Sequence, residues 1–172
     1  MASTFHNISI LPAFLTSSSE TGARACEEIY QRNRHRIYAL AFLMTDNELM
    51  AEELMQISFR TAFSKSAAPS AETIDRALVA AVRNLMPLGT LTLACSPSTR
   101  VANVRRNTLR VHLEQAVVQV PPTERMIFLM HDVEGYDHAR IGRCLGLAED
   151  ESKQGLHQAR LRIRELLAAM KS

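Results

Sequence analysis

Residues 120–167, VPPTERMIFLMHDVEGYDHARIGRCLGLAEDESKQGLHQARLRIRELL, decide how the chain is read. Pro121-Pro122 opens the stretch, and residues 123–133 (TERMIFLMHDV) are predicted to form a short helix. Proline suits a first helical position, since its φ is preset and its missing N–H would go unpaired there. Glu134-Gly135-Tyr136 breaks the pattern. Residues 137–145 give a second short helix, ended by Gly146, a residue able to take positive φ. A longer helix is expected over 149–169, with Leu156, Ala159, Ile163, Leu166 and Leu167 on one face. Its other face carries Lys153, His157, Arg160, Arg162 and Arg164. Two short helices, a glycine turn and a basic amphipathic helix outline a helix-turn-helix, whose second helix enters the DNA major groove.

Working outward, the 172 residues allow one ordinary domain or two small ones. Only six glycines and six prolines, with abundant Ala, Leu, Met, Arg and Glu, favour helix over sheet. The net charge of +2 does not by itself argue for nucleic acid. The excess lies in residues 101–172, which hold eleven basic against nine acidic side chains, mostly Arg. That weakly suits phosphate binding. Cys26, Cys95 and Cys144 are far apart and odd in number, so neither zinc nor a disulfide framework is expected. Reduced thiols fit a cytoplasmic protein. No stretch approaches the roughly 20 apolar residues of a membrane span.

Residues 1–19 are expected to be a flexible arm, since their apolar run is broken by Pro12 and lacks the basic start of a signal peptide. Three helices are then predicted. The first covers 20–45, with Ile29, Ile37, Leu40, Ala41 and Met44 at helical spacing. The second, 47–64, buries Met50, Leu54 and Ile57 and exposes Glu48, Glu52, Glu53, Gln56 and Arg60. The third, 72–86, turns Ile74, Leu78, Ala81, Val82 and Leu85 inward, and Pro87 stops it. Residues 88–101 (LGTLTLACSPSTRV) have no helical period and are expected to link two domains. A helix resumes near Ala102, with Val104, Leu109, Leu113, Ala116, Val117 and Val120 facing the helix-turn-helix, and with Arg105, Arg106 and Arg110 at its start.

The C-terminal run resembles the promoter-binding domain of the extracytoplasmic-function sigma factors. The matching points are Pro121-Pro122, Glu124-Arg125, Ile127-Phe128-Leu129, Glu134-Gly135-Tyr136, Ile141, Leu145-Gly146-Leu147, Lys153, Leu156-His157 and Ala159-Arg160. The N-terminal half is similar to the same family at Tyr30, Tyr38-Ala39-Leu40, Thr45, Ala51-Glu52-Glu53-Leu54, Gln56, Phe59 and Arg83-Asn84-Leu85. The resemblance implies an all-α fold of two small helical domains. These are a three-helix sigma domain 2 over 20–87, which binds polymerase and the −10 element, and a helix-turn-helix sigma domain 4 over 103–172, for the −35 element; residues 88–102 link them.

The implied partners are core RNA polymerase, through its β′ clamp helices and β flap, and promoter DNA. An anti-sigma factor is a further partner that the family allows. Neither cofactor, catalytic residue nor metal ligand is implied. By the resemblance Glu52, Glu53, Leu54 and Gln56 bind polymerase, the acidic ones through charge-assisted contacts. A solvated helix face would carry the same carboxylates. Arg83 and Asn84 are the expected −10 contacts, but Ala77 stands where a Trp is usual. Met86-Pro87-Leu88-Gly89-Thr90 replaces the family's Asp and basic run with no charge at all.

The expected −35 contacts are His131, Glu151, Ser152, Lys153, Gln154, His157, Gln158 and Arg160. Gln can read adenine and Lys guanine in the major groove. The reading helix nevertheless departs from the family's Gly-Thr-Val-Lys-Ser-Arg-Leu. Glu151 adds a carboxylate where phosphate approaches, and Ser152 replaces an apolar residue that seats the helix. Gly155 and Gln158 replace basic ones, so restoring Arg at both is expected to tighten DNA binding. These departures keep a second reading open: a sigma-derived adaptor that binds polymerase or a regulator without melting promoters. Asp132 and Glu134 could form a carboxylate pair, but no other feature supports an enzyme.

Overall fold

The structure is a computed structural model and describes residues 20–94 and 109–170. Seven α-helices and one π-helical turn make up these residues, with no strand among them. The arm 1–19 and the positions of Cys95, Val104, Arg105 and Arg106 lie outside them.

The first half is a three-helix unit. In α1 (Glu20–Thr45), Ile37, Leu40, Ala41 and Met44 recur at steps of three and four and are all buried. Burying an aliphatic side chain of this size contributes about 1.5–3 kcal/mol. Asp46 turns the chain at φ 52°, a left-handed conformation that Asp tolerates better than most residues. Asn47 then caps α2 (Glu48–Lys65) by accepting the Met50 N–H at 3.0 Å. Ser70 does the same for α3 (Ala71–Arg83), accepting from Thr73. Such caps satisfy helix-end donors that would otherwise lack partners. Helix α3 ends three residues earlier than the spacing predicts. Leu85, expected inside, therefore leaves the inward face and is 48% exposed.

The second half comprises α4 (Arg110–Val118), α5 (Pro122–Phe128), α6 (His138–Leu145) and α7 (Glu149–Ala169). The single helix predicted for 123–133 is interrupted. Its last residues, Leu129–Val133, form a π-helical turn in which Glu134 N–H reaches Leu129 O. A π turn holds an extra residue per turn and is uncommon. Here Leu129 and Met130 are both buried, while Asp132 reaches α7. Gly146 ends α6 at φ 72°, as expected. In α4 only Ala116 and Val117 turn inward with the following Val120; Leu109 (63% exposed) and Leu113 (39%) face outward, contrary to expectation.

The two halves are packed together, α3 on α6 and α1 on α4 and α5. Their buried apolar side chains form one continuous cluster. The start of the expected linker is docked on the second half. Gly89 N–H donates to Thr123 Oγ1 (3.2 Å), and the Thr92 and Leu93 N–H groups donate to Glu124 Oε1 (2.5 and 2.7 Å). Glu124 is fully buried, so these donors supply what water would otherwise give its carboxylate.

Candidate nucleic-acid interface

Helix α7 follows the Gly146 turn and lies against α5 and α6. Its first turn carries Glu149, Asp150 and Glu151. Ala148 at the N-cap has no side-chain acceptor, and Glu151 reaches back instead to take the Ala148 N–H at 2.7 Å. Half of a capping box is thus made by a residue predicted to face DNA. Lys153, Gln154, His157 and Arg160 are exposed, as the amphipathic pattern required.

Ser152, Gly155 and Gln158 are not outward. Ser152 is fully buried and its hydroxyl pairs with His138 Nδ1 at 3.0 Å; Gln158 is 6% exposed. These two residues, assigned to DNA from the family register, lie on the seated side of the helix. A Cβ on Gly155 would stand 2.5 Å from Ile127 Cδ1 and 2.8 Å from Leu91 Cδ2. Glycine is here because α5 and the docked segment approach the helix closely. Arg at 155 would meet packed side chains, so the expectation that Gly155→Arg restores a phosphate contact is withdrawn. The pattern contained a signal for this: 152, 155, 156, 159 and 163 share one helical stripe.

Two of these exposed side chains, Lys153 and Arg160, are engaged with the chain's own acids. Lys153 Nζ lies 2.9 Å from Glu149 and 3.4 Å from Asp150. Arg160 grips Asp132 with both Nε (2.9 Å) and Nη2 (2.5 Å), and His131 Nδ1 meets the same carboxylate at 2.8 Å. The Arg160 bonds hold the Asp132 carboxyl below its usual range, and the His131 bond adds to this. His131 and His138 stack with centroids 4.7 Å apart. Burial pushes the His138 ring below its usual value, and neighbouring His131 and Lys153 push the same way. Asp132 and Glu134 do not pair with each other; Glu134 lies 3.8 Å from Arg36 instead.

On the first half, Glu52, Glu53 and Gln56 are exposed on α2, while Leu54 is only 2% exposed and belongs to the core. It seats the helix and also lines the surface groove beside it. Beside the carboxylates is a shallow groove of about 120 Å³, lined by Met50, Glu53, Leu54, Ile57, Ala81, Asn84 and Leu85. Exposed Leu49 (78%) precedes it on α2. Helical spacing singled out neither Leu49 nor Leu85 as a surface group. At the end of α3, Asn84 is exposed, and Arg83 donates Nη2 to Leu145 O at 2.5 Å. Among the described residues no group of three or more His, Cys, Asp or Glu could hold a metal ion. No described helix is long and apolar enough to cross a membrane.

Residues 110–163 match the family Sigma-70, region 4, which spans α4 to most of α7. The chain is 23% identical to the ECF RNA polymerase sigma factor SigE of Mycolicibacterium smegmatis, over 90% of this chain and 66% of that protein. It thus spans just under two thirds of that relative's length. It is also 23% identical to the RNA polymerase sigma factor CarQ of Myxococcus xanthus, over 85% of this chain and 91% of that protein. Its fold is shared with a chain of the co-crystal structure of the sigma factor RpoE in complex with the anti-sigma factor NepR from Bartonella quintana. There the TM-score is 0.63 at 16% identity, covering 82% of this chain and 95% of that one. With the region 4 match on its helix-turn-helix and relatives named as sigma factors along most of its length, the chain is similar to the ECF-type sigma factors and shares the fold of one solved sigma factor.

Proposed function

We propose that the protein binds core RNA polymerase and directs it to promoters, working in the cytoplasm and carrying no catalytic group of its own. The observation that carries this reading is the helix-turn-helix itself. Gly146 sets α6 against α7, and Lys153, Gln154, His157 and Arg160 are left on the exposed face of the second helix. That is the geometry that offers side chains to base edges in a major groove. In this proposal the −35 element takes α7, with His131 and Glu151 at its margin, and the −10 element takes Arg83 and Asn84. The division into an N-terminal arm, a polymerase-binding half, a linker and a DNA-binding half is retained as part of it. Polymerase engages α2 through Glu52, Glu53 and Gln56, and the groove beside them with Leu49 and Leu85 supplies the apolar part of the contact. The β′ clamp helices suit this surface by charge, and the β flap is assigned to the second half. An anti-sigma factor is a further partner of this class.

Transcription with purified core polymerase and a genomic promoter library tests the reading. Run-off products at defined start sites are expected. Polymerase binding without products would select the adaptor role, which the acid-paired cations of α7 favour. Reversing charge with Glu52→Lys and Glu53→Lys should weaken core binding, most at low salt, where screening is least. Unchanged binding would remove the α2 assignment.

A further inference from the structure

At the margin of α7 two imidazoles lie face to face, His131 from the π-helical turn and His138 from α6, with ring centroids 4.7 Å apart. His131 Nδ1 is 2.8 Å from Asp132 Oδ1. Two bonds from Arg160 keep Asp132 ionised, holding its carboxyl below the usual range. An ionised carboxylate only accepts, so the ring donates and Nδ1 carries the proton. In a neutral imidazole that leaves Nε2 as a bare acceptor. A phosphate oxygen is an acceptor too, so the neutral ring has no hydrogen bond to give it from that edge. The His131 side chain keeps 31% of its surface open, which leaves it within reach of solvent protons.

The charged groups around the pair are Asp132 on the same turn and Glu149, Lys153 and Arg160 on α7. Arg160 is engaged with Asp132, and Lys153 with Glu149 and Asp150. With both rings neutral, this cluster carries no net positive charge. One proton on His131 adds a cation at the edge of the helix face that carries Lys153, Gln154, His157 and Arg160. Imidazole is the side chain that ordinarily titrates between about pH 5 and 8. His138 does not compete for that proton. Burial holds its ring below the usual range, with His131 and Lys153 adding to the effect, and its Nδ1 is paired with Ser152 Oγ at 3.0 Å. Two rings stacked this closely also disfavour a second charge.

We propose that His131 is a proton-gated phosphate contact, an inference that rests on the reading of α7 as the DNA-facing helix. In the neutral ring Nε2 is an acceptor beside a self-neutralised Asp132–Arg160 pair. A proton turns it into a charged N–H donor. DNA binding by the chain is therefore stronger in mildly acidic than in neutral solution.

The test is binding of the full chain to a labelled random-sequence DNA duplex, read by fluorescence anisotropy at about pH 7.5 and about pH 6, within the range where an imidazole titrates. His157, also exposed on α7, is replaced by Gln in every protein compared. This parent should bind on the order of fivefold tighter at the lower pH, part of what a hydrogen bond to a charged group contributes. Its log–log salt slope should steepen by up to about 0.9, the value for one added phosphate contact. His131→Gln should bind at both pH values as the parent does in neutral solution. His131→Arg, charged at either pH, should match the acidic parent at both. Circular dichroism checks the helices at each pH; if a variant has lost them, Asn stands in for Gln and Lys for Arg at this position. Nitrogen NMR of the imidazoles, which needs no DNA, should find the proton of neutral His131 on Nδ1. A proton on Nε2, equal parent affinities at the two pH values, or a pH response that survives His131→Gln overturns the gate. Firm DNA binding with equal affinities would leave the DNA-reading role of α7 standing. No binding by any of these chains at either pH would sink both.

Discussion

Gly155 shows how much a single position depends on what packs against it. Its place in the reading helix suggests a lost phosphate contact, but Ile127 and Leu91 fill the space beside its Cα. Gly155→Arg should therefore destabilise the protein by at least about 1–3 kcal/mol, the usual cost of overpacking. Thermal unfolding would show this as a lower Tm, and tighter DNA binding with no loss of Tm would refute it. His138 supplies a second prediction. Its ring is held below its usual pKa, first by burial and then by His131 and Lys153, and it bonds Ser152. A base with a depressed folded-state pKa stabilises the fold above its unfolded value of about 6.5. That contribution is lost as pH falls through the folded value. Between pH 7.5 and 5.5 the wild type should lose more stability than His138→Asn, as melting at the two pH values would reveal. Equal losses would show that this ring does not set the dependence.

At the level of the element, α7 is amphipathic in the expected sense but nearly self-neutralised. Lys153 is paired within its own first turn, and Arg160 is gripped by Asp132 from the π-helical turn. Removing that acid with Asp132→Asn should free one cation for phosphate. The salt dependence of DNA binding by the full chain should then steepen by about 0.9 in log–log slope, the value for one added contact. A salt titration of wild type against variant measures it. Coincident slopes would mean that Arg160 already leaves Asp132 when DNA arrives, or never contacts phosphate. Helix α2 is the converse case. Its carboxylates Glu52 and Glu53 stay exposed, and among the described residues no arginine pairs with them, so they suit a basic surface.

At the level of the whole molecule, the segment after α3 behaves as a strap. Its Thr92 and Leu93 N–H groups end on a fully buried carboxylate, and Leu91 rests against Gly155. Glu124→Gln keeps the shape but removes the charge from those hydrogen bonds, and charge-assisted bonds are roughly twice as strong as neutral ones. Limited proteolysis read by mass spectrometry should find residues 88–93 protected in the wild type and cut several times faster in the variant. Equal rates would show that Glu124 does not hold the segment.

What the sequence alone determined is local. The turn at Gly146 and the buried stripes of α1 and α3 follow from bonds and spacings within a few residues, so they are visible without neighbours. The family resemblance rested on the same short-range pattern and led to the same helix-turn-helix. Tertiary structure alone decided which borderline residues turn inward. Ser152 and Gln158 are polar, and their burial depends on what seats α7. Leu85 and Leu109 are apolar, yet they stay 48% and 63% exposed. It also decided who pairs with whom. The Arg36–Tyr136, Arg140–Asp75 and Arg83–Leu145 contacts join residues 100, 65 and 62 positions apart. A charge seeks whatever opposite charge folding brings within reach, and helical periodicity carries no information over such separations.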